Sequence, residues 1–72
     1  MGMSEPVLLP TREAAYDYAR EVFGDLSKAH SWMTTPNRFF KGMCPKDVIE
    51  HGSTEDIRLV IEELRRIDLG LF

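Results

Sequence analysis

Ile57, Val60, Ile61, Leu64 and Ile67 form the strongest apolar stripe in the chain. Their spacing of three and four residues is that of one face of an α-helix. No segment alternates apolar and polar residues with period two, so no half-buried strand is indicated. A chain of 72 residues holds one domain at most. It buries only about 60% of its unfolded surface. The expectation is an all-α protein: a compact bundle of about four short helices with the longest at the C-terminal end.

The other elements follow in order. Residues 1–10 end in Val7-Leu8-Leu9-Pro10 and read as an extended arm whose leucines pack on the body or on a neighbouring subunit. Residues 11–72 form the helical domain. Thr11 suits an N-cap, with Glu13 favourable in the first turn. Ala15, Tyr18, Ala19, Val22 and Phe23 then share one face, opposite Arg12, Asp17, Arg20 and Glu21. Gly24 ends that helix and Asp25 caps the next. Leu26, Ala29, Trp32 and Met33 make its apolar face, and Thr34-Thr35-Pro36 stops it, because a residue before proline avoids the α region.

The stretch from Trp32 to Gly52 contains the only Trp and the only Cys. Asn37 can cap a single turn through Arg38-Phe39-Phe40, and Gly42 permits a reversal. Pro45 opens a third helix at its first position, where a missing N–H costs nothing. Val48 and Ile49 point inward and Gly52 closes it. Ser53 and Asp56 form a capping-box pattern for the last helix. Glu62 and Arg66 make a favourable i, i+4 pair on its solvent side. Gly70 ends the helix and leaves Leu71-Phe72 as an apolar terminus.

Charge and composition exclude several function classes. Net charge is −3 and the pI about 5.2. The nine basic residues are dispersed, which argues against nucleic acid as the main partner. A helix-turn-helix reading fails on a long linker and on a 45–51 helix with Lys46 against Asp47 and Glu50. No apolar run approaches the roughly 18 residues that span a membrane. The start, Met1-Gly2-Met3-Ser4, lacks a basic segment followed by an apolar one, so no secretory leader is expected. One cysteine forms no intrachain disulfide, and a cytoplasmic protein is expected.

Catalytic and metal readings are weak. His30, His51 and Cys44 do not pair at ligand spacing, so no metal is expected. Cys44 before Pro45 could carry a lowered thiol pKa, but His51 lies at the far end of the same helix, out of reach. Glu62-Glu63 and Glu55-Asp56 diverge by about 100° on a helix and do not converge on a substrate. No glycine-rich phosphate loop and no cofactor site is present. Trp32, Phe39, Phe40 and Phe72 are a large aromatic set for so small a chain. Core packing is expected for Trp32 and Phe40, and the surplus apolar surface points to a protein interface.

The residues also resemble a known family, the C-terminal toxin-binding domain of Xre/MbcA/ParS-type bacterial antitoxins of RES–Xre toxin–antitoxin systems. The family pattern A-x-x-V-F-G-D is matched by Ala19 to Asp25, and A-x-x-W-L by Ala29 to Met33. The pattern N-x-x-L-G-G-x-T-P is matched by Asn37 to Pro45, and L-x-R-I-x-x-G by Leu64 to Gly70. The departures are Phe40 for Leu, Lys41 for the first Gly, Cys44 for the capping Thr and His51 for the Thr before Gly52.

The resemblance implies a non-enzymatic antitoxin that neutralises a RES-domain, NAD-consuming toxin by covering its active-site entrance with its C-terminal end. Arg65 and Arg66 beside Leu69-Gly70-Leu71-Phe72 are the expected partner contacts, with Arg38 second; their guanidinium groups suit carboxylates. Asn37 is expected to be structural. Typical members carry an N-terminal helix-turn-helix domain. This chain offers an arm of about ten residues there, so DNA autoregulation is not carried over. Self-association is also expected, and the alternative reading is a self-associating helical module with no toxin partner.

Overall fold

A computed structural model describes residues 10–70. Four α-helices and one short 3-10 turn make up the described chain. They are α1 (Arg12–Phe23), α2 (Leu26–Thr34), the turn Arg38–Phe40, α3 (Pro45–His51) and α4 (Thr54–Asp68). The all-α expectation holds, and α4 is the longest helix at 15 residues. Val7 to Leu9 of the expected arm, and Leu71 and Phe72, lie outside the described residues.

Local chemistry sets each boundary. The Thr11 side chain accepts from the Ala14 N–H at 3.1 Å. Gly24 ends α1 at φ 67°, a left-handed conformation that glycine adopts without steric penalty. Asp25 then accepts from the N–H groups of Ser27 and Lys28. Pro45 occupies the start of α3. Ser53 and Asp56 form the full reciprocal capping box of α4.

The apolar stripe of α4 is the spine of the bundle. Val60 and Leu64 are fully buried, Ile57 and Ile61 nearly so, and Ile67 is half-buried. This helix packs on α1 and α3, while α2 closes the other side of α1 and α3. Ala15 and Ala19 let α1 approach closely, and Met33, Phe40, Val48 and Ile49 fill the centre. No polar or charged residue is buried among the described residues.

Gly52 closes α3 for a reason other than torsion. Its φ is −89°, an ordinary extended value. A Cβ there would collide with the Val48 carbonyl and lie 2.7 Å from the Asp56 Cβ. The tight join of α3 to α4 therefore excludes any side chain.

Two expectations need correction, those for Leu26 and for Arg66, while Trp32 packs against the core as expected. Leu26 does not share the buried face of α2: it is 63% exposed. As the first residue of the helix its side chain leans toward the N-terminus and past the packed turn. Trp32 is half-buried at the edge of the core, its ring 5.8 Å from that of Phe23. Arg66 pairs with Glu63 at 3.7 Å instead of with Glu62, which faces Arg58 at 4.0 Å.

Candidate functional site

The loop between α2 and α3 is built around Asn37. Its side-chain oxygen accepts from the Phe39 N–H at 2.9 Å. Its carbonyl accepts from the Phe40 and Gly42 N–H groups at 3.0 and 3.1 Å, and its own N–H donates to the Met43 carbonyl at 3.0 Å. The segment is thus closed on itself by Asn37, as its structural reading requires. Lys41 and Gly42 follow each other in the left-handed region at φ 57° and 85°. Lys41 holds there a conformation that costs a non-glycine residue roughly 1 kcal/mol.

A 3-10 turn advances 120° per residue, so adjacent residues point apart. Phe40 therefore enters the core, and Phe39 turns outward with 56% of its surface exposed. The Arg66 guanidinium lies over the Phe39 ring, 5.2 Å from its centroid. This stacking joins the loop to the last turn of α4, two segments separated in sequence by all of α3. Contacts of this kind are worth about 0.5–1 kcal/mol at exposed sites.

The backbone at the end of α4 closes on itself. The Leu69 N–H donates to the Arg65 carbonyl at 2.9 Å, and Gly70 follows at φ 78°. The Leu69 side chain is 63% exposed. Arg65 and Arg66 have different neighbours, because successive helical residues diverge by about 100°. Arg66 faces Phe39, whereas Arg65 and Asp68 lie beside the Tyr18 hydroxyl on α1. Burial, and then Asp68, raise the Tyr18 pKa above its ordinary value.

Of the predicted partner residues, Arg66 reaches the loop that carries Arg38 through its contact with Phe39, and Leu69 and Gly70 follow it at the end of α4. Arg65 sits on the neighbouring face. Leu71 and Phe72 lie outside the described residues. Sequence reasoning placed Phe39 in the aromatic set but missed its exposure and its contact with Arg66. The 120° step of an Asn37-capped turn was the available signal.

A cleft of about 230 Å³ lies between α1 and α2. Ala19, Ala29 and Met33 form its floor, and Tyr16, Arg20, Leu26, His30 and Lys46 stand around it. The Tyr16 hydroxyl donates to Glu50 Oε2 at 2.7 Å. Burial, with the Glu50 hydrogen bond second, pushes the Tyr16 pKa up to about 12. Asp17 is paired with Arg20 at 3.1 Å. Among the described residues there is no cluster of three or more metal-ligating side chains, and no helix is long and apolar enough to cross a membrane.

Comparison with known proteins is consistent with this architecture. Neither curated proteins nor solved structures give a significant match to the chain. The family model described as the antitoxin Xre/MbcA/ParS C-terminal toxin-binding domain matches residues 18–70. That span runs from the middle of α1 through the Asn37 loop to the end of α4, most of the chain. The chain belongs to the antitoxin Xre/MbcA/ParS C-terminal toxin-binding domain family.

Proposed function

We propose that this protein is a non-enzymatic antitoxin module that neutralises a RES-domain, NAD-consuming toxin by covering its active-site entrance. Residues 11–72 form the toxin-binding domain, with residues 1–10 as an arm outside it. The covering element is the C-terminal end: Arg66, Leu69 and Gly70, continuing into Leu71 and Phe72, with Arg38 and Arg65 on flanking faces. The observation that carries this reading is the family match, together with the exposed Leu69 beyond the closed core. The module acts in the bacterial cytoplasm by binding alone. Repression of its own operon through DNA contact is not assigned to these residues.

Growth rescue tests the reading. Cells expressing the toxin grow when the whole chain is co-expressed and stop growing when residues 69–72 are deleted. Full rescue by the shortened chain contradicts the blocking role of the terminus.

Self-association is a second reading, favoured by Leu26 and Leu59, which are 63% and 46% exposed and lie away from the helix end. Sedimentation of the isolated protein distinguishes the two. A monomer at all concentrations removes self-association and leaves these leucines to a different partner.

A further inference from the structure

We propose that Phe39 is a second anchor for the partner, entering an apolar pocket rimmed by carboxylates on the surface of the toxin. The inference rests on the toxin-binding reading above, and adds to it the loop residue and the chemistry of the surface it meets.

Three observations converge on this ring. Phe39 keeps 56% of its surface exposed although Phe40, its neighbour, is buried. Aromatic side chains are enriched at protein interfaces. The ring is also held in place before any partner arrives. The Asn37 loop closes through its own backbone hydrogen bonds, and Arg66 covers the ring at 5.2 Å. A prepositioned aromatic loses little conformational entropy on binding, which favours it as an anchor.

The third observation is charge. Arg66 lies over the ring, and the loop that carries Phe39 also carries Arg38 and Lys41, in a chain whose net charge is −3. Among the described residues, the Arg38 and Lys41 side chains have no ion-pair or hydrogen-bond partner, and Arg66 meets only Glu63. The loop that presents Phe39 thus carries two cations with no partner among the described residues, in an acidic protein. The complementary surface is a pocket able to take a phenyl ring, with carboxylates at its rim.

Calorimetric titration against the RES-type product of the neighbouring reading frame, at low and moderate salt, tests the proposal. Phe39→Ala is expected to weaken binding about 30-fold or more, as loss of an interface hot spot does. Phe39→Trp should bind within a few-fold of wild type. Helical circular dichroism at the titration temperature should be unchanged in both, since the ring lies outside the core. The double variant Arg38→Glu, Lys41→Glu should weaken binding and flatten its salt dependence. Binding by Phe39→Ala within twofold of wild type overturns the proposal, as does an unaltered salt dependence in the double variant. If deletion of residues 69–72 abolishes binding while Phe39→Ala does not, the toxin reading stands and the Phe39 anchor falls. Failure of the wild-type chain to bind overturns both.

Discussion

The two ends of α4 are built in opposite ways. At its start, the capping box satisfies the Ser53 and Asp56 N–H groups, and Gly52 fits α3 against it with no room for a Cβ. Through Leu64 its apolar stripe is almost entirely buried. At its end, Ile67 is half-buried, Leu69 stands in solvent, and Arg66 reaches across to an exposed ring. One helix therefore divides its work along its length. The first part fixes the bundle, and the last turn is the part proposed to meet another protein. The difference teaches that stability and recognition can be perturbed separately here.

Substitutions should break or sharpen that division. Leu64→Ala strikes the closed part hardest. Loss of a fully buried leucine typically costs about 2–5 kcal/mol. That is a large share of the stability of a single small domain. Thermal denaturation should show a chain largely unfolded or melting far below wild type, with toxin neutralisation lost as a consequence. Gly52→Ala comes next, at about 1–3 kcal/mol, because the added methyl overpacks the α3–α4 join. Urea unfolding should show the loss without a change in binding affinity below the transition.

Tyr16→Phe removes the hydroxyl that donates to Glu50 and should cost about 1 kcal/mol near neutral pH. It also has a pH signature. The folded-state pKa of about 12 lies above the ordinary 10.0, so this contribution is complete below about pH 10 and fades as pH rises toward 12. The difference between wild type and Tyr16→Phe should therefore shrink across that window. Tyr18 shifts in the same direction and keeps part of the alkaline slope in both proteins.

At the C-terminal end of α4 the stability effects should be small and the binding effects large. Arg66→Ala gives up the stacking on Phe39 and the Glu63 pair, about 0.5–1 kcal/mol of stability at an exposed site. Neutralisation of the toxin should fall well beyond what that loss explains. The smallest effect has the opposite sign. Cys44 occupies the N-cap of α3 without a side-chain hydrogen bond. Cys44→Ser supplies a capping oxygen and should raise stability by about 0.5–1 kcal/mol, with binding unchanged.

Much of the fold was legible because its determinants are local. The 57–67 stripe, the caps at Thr11, Asp25 and Ser53, and the proline at the start of α3 each report their element without knowledge of the rest. Leu26 misled because a single apolar residue on the right face says nothing of whether a neighbour reaches it. Adjacency in sequence did not tell that Arg66 meets the Asn37 loop while Arg65 lies beside Tyr18, because successive helical residues diverge by about 100°. The Phe39–Arg66 contact was hidden for a different reason. It joins a loop to a helix end across α3, and no spacing rule connects residues that far apart. Gly52 was recognised as the end of α3, but its reason, the absence of space beside Asp56, exists only in the packed structure.

The most direct test of the account is to measure NAD consumption by the toxin while titrating in the full chain or the chain shortened by residues 69–72. The division of α4 predicts that both retain the same helical circular dichroism, that the full chain suppresses the activity, and that the shortened chain leaves most of it intact. Equal suppression by the two would contradict the claim that the C-terminal end of α4 covers the toxin's active site.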